Sequence, residues 1–317
     1  MIRLPKIFIQ VPGTSANLGP GFDLMGLALD LRNEFEFSFS KEITEFRTEL
    51  KSGNHLPFSE KEDLVRESYL SYFEKFLPGH IAPPYHCKMI LALPLKGGLG
   101  SSASAIVAGL CLAREVHKRI DLKSLPTESV FTQYLAEFEG HPDNTLPAYL
   151  GGFVFAYSTF GEPIRYFRKK FPNSVAIFVL TPEFHVSTEE SRKALPKSYH
   201  TTDVIFNLSR IGAWMHFLDK RKFGDLLVGL EDKMHTPYRI PKTSPLFGLA
   251  ESLKEAGIGY CLSGSGPSLL MFLERKVVKS KQSLLEEMVA KEMKTSGISY
   301  QFRRVKPDGL GVRIQIK

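Results

Sequence analysis

The stretch that decides the fold is residues 94–104, which read Pro-Leu-Lys-Gly-Gly-Leu-Gly-Ser-Ser-Ala-Ser. It follows an apolar, strand-like run at 89–93 and leads into a helical pattern with apolar residues at Ile106, Val107 and Leu110. Glycines at such a turn let the backbone curl without Cβ clashes. The free N–H groups of the next helix then attract an anion. The stretch predicts a phosphate-binding loop, and an ordinary glycine-rich turn capped by serines is the alternative.

Other phosphate loops and nucleophile motifs do not match this stretch. The strings Gly-x-x-x-x-Gly-Lys-Ser/Thr and Gly-x-Gly-x-x-Gly are absent from the chain. Residues 100–104 approach a nucleophile elbow, but Ser104 stands where the closing glycine belongs. The pattern Pro-x-x-x-Gly-Leu-Gly-Ser-Ser-Ala instead resembles the second motif of the GHMP small-molecule kinases.

Three further segments narrow the resemblance. Residues 11–23 read Val-Pro-Gly-Thr-Ser-Ala-Asn-Leu-Gly-Pro-Gly-Phe-Asp, residues 139–144 read Glu-Gly-His-Pro-Asp-Asn, and residues 263–268 read Ser-Gly-Ser-Gly-Pro-Ser. Together with the glycine-rich stretch they resemble the homoserine kinases, a family within the GHMP superfamily. The matched segments follow the family order from residue 11 to about residue 268, so the resemblance covers nearly the whole chain.

Composition sets the broad class. With 317 residues and 43% hydrophobic content, the chain can form a large core, which favours two domains. Its three cysteines form no Cys-x-x-Cys pair and no zinc spacing, as expected in a reducing compartment. The first residues lack the apolar core of a signal peptide, and no uncharged apolar run reaches the ~18 residues of a membrane helix. These features predict a cytoplasmic protein with no membrane partner.

The net charge of +7 has two interpretations. Basic residues cluster at 165–170 and 275–281, which would suit a nucleic-acid surface. Because no nucleic-acid motif accompanies them, a solvated surface that weakly attracts anionic substrates is favoured. We therefore expect no nucleic-acid partner.

The pattern of elements predicts an α+β fold. Residues 24–31 and 34–40 are predicted to form a hairpin around Arg32-Asn33, and Ser59 with Glu62 predicts a capping box that begins a helix. A polar, basic stretch at 158–172 suggests a boundary, with domains at 1–160 and 161–317. The resemblance implies a ribosomal-protein-S5-like first domain that binds ATP and a ferredoxin-like second domain, with the active site between them.

The resemblance implies that the glycine-rich loop holds the phosphates of ATP. Magnesium would be held by Ser102 and a carboxylate at the end of the third predicted helix, where a helical wheel does not separate Glu137 from Glu139. The family motif position favours Glu139, and a solvated helix-end charge is the alternative. The nucleotide-binding residues so implied are Pro94, Leu95, Lys96, Gly97, Gly98, Leu99, Gly100, Ser101, Ser102, Ala103 and Ser104.

The resemblance also implies an acceptor side built for an amino acid. Two arginine forks suit an α-carboxylate. Asn144 stands where several GHMP kinases have an aspartate and cannot take a proton, so Asp23 is the one motif carboxylate expected to touch the acceptor hydroxyl. The implied catalytic residues are Asp23, Asn144 and Arg192. The implied substrate-binding residues are Asn17, Asp23, His141, Asn144, Thr188, Arg192, Arg239 and Gly264.

Ordinary structural roles are the alternative for several of these residues. Asn17 and Asp23 are residue types that favour turns, Thr188 and Arg192 could be a helix cap and a surface charge, and His141 could serve only local hydrogen bonding. Asp63 stands where the family usually has an asparagine, which leaves the nucleotide-base contacts open.

The activity implied is the ATP-dependent phosphorylation of the homoserine side-chain hydroxyl, giving O-phosphohomoserine for threonine synthesis. Homoserine and ATP are the expected partners, and a homodimer is left open. The alternatives are a GHMP kinase for another small alcohol, a catalytically silent binding protein of the same fold, and a serine hydrolase using Ser102.

Overall fold

The computed structural model describes residues 4–158, 162–184 and 186–317. Within these ranges the chain forms two β-sheets with helices packed against them. The strands are β1 (Ile7–Ala16), β2 (Met25–Ser38), β3 (Arg47–Leu50), β4 (His86–Ile90), β5 (Phe153–Tyr157), β6 (Arg165–Lys169), β7 (Val175–Pro182), β8 (Gly259–Leu262), β9 (Leu269–Glu274), β10 (Tyr300–Val305) and β11 (Arg313–Ile316). The helices are α1 (Leu64–Phe76), α2 (Ser101–Ile120), α3 (Glu128–Glu139), α4 (Pro142–Leu150), α5 (Thr188–Lys193), α6 (Thr201–Lys220), α7 (Phe223–Gly229), α8 (Thr236–Arg239), α9 (Phe247–Glu255) and α10 (Val278–Ser296).

The first sheet has the order β11-β1-β2-β4-β3, and β5 and β6 extend it from β2. Its pairs are antiparallel except β3 with β4. Apolar side chains of α1 and α2 pack with those of β1, β2 and β4 in one buried cluster, which fixes the start of α2 over the sheet. This packing places the glycine-rich stretch at the end of the sheet.

The second sheet has the order β10-β7-β9-β8, with every pair antiparallel. Numbered within the sheet, this is the order fourth, first, third, second, the arrangement implied by the ferredoxin-like expectation. Strand β7 is buried along its whole length, because it lies between two strands and has packed clusters on both faces. The α+β prediction is confirmed.

The predicted hairpin around Arg32-Asn33 is wrong. Residues 25–38 form one continuous strand, because both polar residues make tertiary contacts instead of a turn. The Arg32 guanidinium donates to the Gly311 carbonyl and pairs with Asp308. The buried Asn33 side chain donates to Ser104 Oγ and accepts from the backbone amides of Ala92 and Leu93.

Two helix predictions also change. The capping box of Ser59 and Glu62 is present, but it starts only a short 3₁₀ turn. Helix α1 begins at Leu64, where the Asp63 side chain accepts from two backbone amides. Helix α4 was not expected from the sequence, although Pro142 at its first turn is a recognised start signal.

The proposed boundary at residues 160 and 161 lies outside the described residues. The two sheets do not follow one cut in the sequence, because Arg165–Lys169 and Arg313–Ile316 both pair in the first sheet. The division into 1–160 and 161–317 therefore stays a prediction. Among the described helices, none is both long enough and apolar enough to cross a membrane.

Candidate active site

Most of the residues singled out in the sequence line one cavity of about 300 Å³. The ends of β1, α3 and the glycine-rich stretch reach it from the first sheet, and α5, α8 and the 264–265 turn reach it from the second half of the chain. Its lining residues are Ala16, Asn17, Asp23, Pro94, Lys96, Gly97, Gly98, Gly100, Ser101, Ser102, Ala103, Glu139, His141, Asp143, Asn144, Val186, Ser187, Thr188, Arg192, Arg239, Gly264 and Ser265.

The glycine-rich stretch forms the expected turn into α2. Lys96, Gly98 and Gly100 adopt the left-handed backbone conformation, and α2 begins at Ser101 with its N-terminus at the cavity. A Cβ on Gly98 would lie 2.3 Å from the Ser263 carbonyl oxygen, and one on Gly100 would lie 2.0 Å from Thr14 Oγ1. These glycines therefore allow the loop to pack against β1 and the 263–266 turn, as well as exposing its amides.

Three members of the predicted nucleotide set do not line the cavity. The Leu99 side chain is fully buried in the core. Ser104 is also buried, where its hydroxyl donates to the Ser101 carbonyl and accepts from Asn33. Leu95 is also absent from the cavity lining. For Leu99 and Ser104, the side chains shape the loop from behind.

The structure separates the two candidate carboxylates that the helical wheel left together. Glu137 is exposed, accepts from Gln133 and forms an ion pair with Lys75. Glu139, the last residue of α3, lines the cavity. The difference arises because side chains two residues apart point to different sides of a helix, and the side of α3 that carries Glu139 faces the cavity.

The Glu139 carboxyl has the features of a cation ligand. Its Oε2 atom is buried and has no hydrogen-bond partner among the described residues. Burial raises the pKa of this carboxyl to about 8, and the neighbouring Asp143 adds to the rise. A hard oxygen-binding cation would supply the missing partner, and the exposed Ser102 hydroxyl reaches the same cavity. The residues present therefore fit a magnesium ion.

His141 lies between Glu139 and α4. Its Nδ1 is 2.6 Å from Oδ1 of Asp143, a residue only 2% exposed. Burial lowers the pKa of this imidazole, but the hydrogen bond and charge of Asp143 outweigh that effect and raise the pKa to about 9. The contact with Asp143 thus favours the protonated imidazole.

Asn17 and Asp23 adopt left-handed backbone conformations in the loop after β1. The Asn17 side chain donates to the Gly264 carbonyl at 2.9 Å and accepts from the Asp23 amide at 3.0 Å. Its contacts join the first-motif loop to the 264–265 turn. Asn17 therefore shapes this side of the cavity in addition to lining it.

Asp23 and Arg192 form a two-pronged ion pair, with distances of 2.8 and 2.9 Å. The Arg239 guanidinium donates to the Gly264 carbonyl, and both guanidinium groups lie over the Phe22 ring, 5.5 Å from its centre for Arg192 and 5.1 Å for Arg239. The two arginines and one carboxylate form a wall that carries charges of both signs.

The remaining predicted residues have different surroundings. Asn144 accepts from Thr14 Oγ1 at 2.7 Å, which ties α4 to β1. Thr188 is the first residue of α5, after a capping box formed by Ser187 and Glu190. Both Asn144 and Thr188 line the cavity.

Sequence reasoning missed Asp143. Ligand atoms of Asp23, His141 and Asp143 all lie within 4.8 Å of one another, so a second motif carboxylate lies close to Asp23. That Asp23 touches the acceptor hydroxyl stays a prediction. The signal was present in the quoted segment 139–144, but only the turn into α4 brings Asp143 back to the cavity.

Comparisons with known proteins agree with this geometry. The family model for the GHMP kinases N terminal domain matches residues 63–152. A homoserine kinase from Clostridium kluyveri is 34% identical over 281 residues, covering 86% of this chain and 88% of its own length. One from Aquifex aeolicus is 32% identical over 314 residues, covering 97% and 99%.

Among solved structures, a homoserine kinase from Cytophaga hutchinsonii superposes with a TM-score of 0.81 and covers 99% of both chains at 22% identity. That likeness confirms the expected two-part GHMP kinase fold. Because the curated relatives exceed 30% identity over most of their length, the resemblance extends beyond the fold, and the chain belongs to the homoserine kinase family of the GHMP kinases.

Proposed function

We propose that this protein transfers the γ-phosphoryl group of ATP to the side-chain hydroxyl of L-homoserine, giving O-phospho-L-homoserine for threonine synthesis. The proposal rests on one observation. A single cavity joins an anion-binding loop at a helix N-terminus to a wall of Asp23, Arg192 and Arg239, which suits an amino acid. The names of the relatives support the same activity.

Different parts of the cavity would bind different parts of the substrates. The backbone amides of the glycine-rich loop and Lys96 would hold the phosphates. Ser102 and Glu139 would hold magnesium, which supplies positive charge against the phosphates when bound. Arg192 and Arg239 would bind the α-carboxylate.

Asp23 would orient the acceptor hydroxyl. A carboxylate offers about four acceptor positions, and the two contacts with Arg192 leave capacity for the hydroxyl. Because the transferred phosphoryl group passes through a loose transition state in most analyses, positioning matters more than a strong base. Asn144 would support the same surface through Thr14.

The setting of the enzyme follows from the same proposal. We place it in the cytoplasm, where its three buried, unpaired cysteines suit reducing conditions. Homoserine and ATP are its partners, without nucleic acid or membrane, and light scattering would decide between monomer and homodimer.

ADP release tests the proposal across a panel of small alcohols. With Mg·ATP, we expect turnover with L-homoserine well above that with mevalonate or galactose. Equal or faster turnover with mevalonate would contradict the substrate assignment. No turnover with any alcohol, in a protein that binds ATP, would favour the silent binding protein.

A further inference from the structure

Asp143 is the buried charged residue at the cavity for which the proposed reaction has no role so far. It is the second residue of α4, and its backbone packs directly against β2. A Cβ on Gly26 would lie 1.9 Å from the Asp143 carbonyl oxygen, so strand and helix are in close contact at this point. The carboxylate is therefore held on a rigid support.

The contact between Asp143 and His141 places a proton on Nδ1 of the ring. A carboxylate only accepts hydrogen bonds, so His141 Nδ1 must donate to Asp143 Oδ1 across the 2.6 Å distance. The other ring nitrogen, Nε2, has no hydrogen-bond partner among the described residues, and the His141 side chain lines the cavity. Nε2 is thus the nitrogen available to a ligand.

We propose that Asp143 is a positioning residue for the acceptor substrate, because it holds the Nδ1 proton and the ring of His141 so that Nε2 meets the substrate. The identity of that substrate rests on the proposed function. The contact between Asp143 and His141 does not.

Kinetics of a double-mutant cycle test whether Asp143 acts through His141. In metal sites, removing the carboxylate that accepts a hydrogen bond from a ligating histidine lowers metal affinity or activity about 10- to 100-fold. By analogy, we expect a loss of this order in kcat/KM for homoserine with Asp143→Asn. The KM for ATP should be unchanged. Asp143→Asn combined with His141→Ala should be no worse than His141→Ala alone. Losses that multiply in the double variant would overturn the proposal.

Nitrogen-15 NMR of the histidine rings tests the contact without any substrate. In the wild-type protein His141 Nδ1 should carry a proton, and in folded Asp143→Asn its signal should change, because an amide can also donate to Nδ1. His216 and Asp225 provide a matched pair on the surface, with Nδ1 2.8 Å from the carboxylate. Asp225→Asn should change the His216 signal and leave both His141 and the activity unaltered.

An unchanged His141 signal in folded Asp143→Asn would overturn the proposal. If the wild-type enzyme fails to phosphorylate homoserine while the His141 signal responds to Asp143→Asn, the proposed function fails and the positioning contact stands. The magnesium dependence of the activity tests whether Asp143 is instead a metal ligand. Asp143→Asn should need the same magnesium concentration as the wild type, and a raised requirement would make Asp143 a metal ligand instead.

Discussion

At the scale of single residues, the wall formed by Asp23, Arg192 and Arg239 combines charges of opposite sign. Arg192 is exposed, yet its guanidinium is held by Asp23 at both prongs. Arg239 is half-buried and is held by the Gly264 carbonyl. The two-pronged contact needs a planar guanidinium group beside a carboxylate, and a lysine cannot reproduce it. The two arginines should therefore matter for substrate binding more than for nucleotide binding.

Arg192→Ala and Arg239→Ala should each raise the KM for homoserine far more than the KM for ATP. Truncating one partner of a hydrogen-bonded charge pair costs about 2–5 kcal/mol when the pair is buried, and the exposure of Arg192 places it at the low end. Steady-state kinetics with each substrate varied in turn would measure the split. A variant that raised only the KM for ATP would remove its arginine from the carboxylate site.

Glu139 gives the metal-free protein a pH-dependent stability. Burial raises its pKa to about 8 in the folded state, so folding favours the protonated form. The stability it contributes is complete below the unfolded pKa and is lost as pH rises through 8. The pKa of His141 is raised to about 9, so the stability that this residue contributes is also lost as the pH rises.

Urea unfolding in EDTA should show stability falling between pH 5 and pH 8. Glu139→Gln should flatten that fall by on the order of 3 kcal/mol. The same variant should lower kcat and raise the magnesium requirement. Glu137→Gln is the matched control, since that carboxylate is exposed and faces Lys75. Equal effects of the two substitutions would contradict the assignment of Glu139.

At the scale of elements, the glycine-rich stretch has a structural role beside the phosphate binding proposed for it. From the sequence alone, Gly100→Val is expected to abolish nucleotide binding and leave the fold largely intact. The structure contradicts the second part, because a Cβ on Gly100 would meet Thr14 Oγ1 at 2.0 Å in a left-handed backbone. Loss of binding in that variant would therefore not identify a phosphate contact.

Gly100→Ala should destabilise the protein more than Gly79→Ala. Both glycines have left-handed backbones, but a Cβ on Gly79 meets no atom within 4 Å. The backbone strain is shared, about 1–2 kcal/mol, whereas overpacking at Gly100 adds about 1–3 kcal/mol. Thermal unfolding of both variants measures the difference, and equal destabilisation would show that Thr14 moves aside freely.

At the scale of the whole molecule, the last strand of the chain completes the first sheet. Arg313–Ile316 pairs with β1, and Lys6 and Lys317 exchange two backbone hydrogen bonds. Strand β1 leads directly into the loop that carries Asn17 and Asp23. The two ends of the chain therefore support the same side of the active site.

A variant ending at Gly311 should be less stable than the full chain. Its β1 strand loses several backbone hydrogen bonds, each contributing about 1 kcal/mol, so we expect on the order of 3 kcal/mol. Calorimetry would measure the change in Tm. The double substitution Arg313→Ala with Gln315→Ala keeps the backbone pairing and is the control. An unchanged Tm on truncation would mean that β11 adds nothing to the sheet.

Features that depend on neighbouring residues were predictable from the sequence. The glycine-rich turn into α2, the end of α3 at Gly140 and the α+β pattern depend on residues close together in the chain, so spacing and residue type predict them. Family motifs also indicated most of the cavity lining. The continuous strand through Arg32 and Asn33 escaped prediction because its polar residues bond to partners far along the chain.

Only the tertiary structure decided which side chains meet. Glu137 and Glu139 both flank the apolar face of α3, and the packing of the helix leaves one paired on the surface and the other unpaired in the cavity. Asp23 and Arg192 are 169 positions apart, and Asp143 reaches His141 through the start of a helix that propensity did not predict. The periodicity of apolar residues reports which residues share a face of one helix or strand. Ion pairs and hydrogen bonds between distant residues depend on how the two sheets and their helices pack.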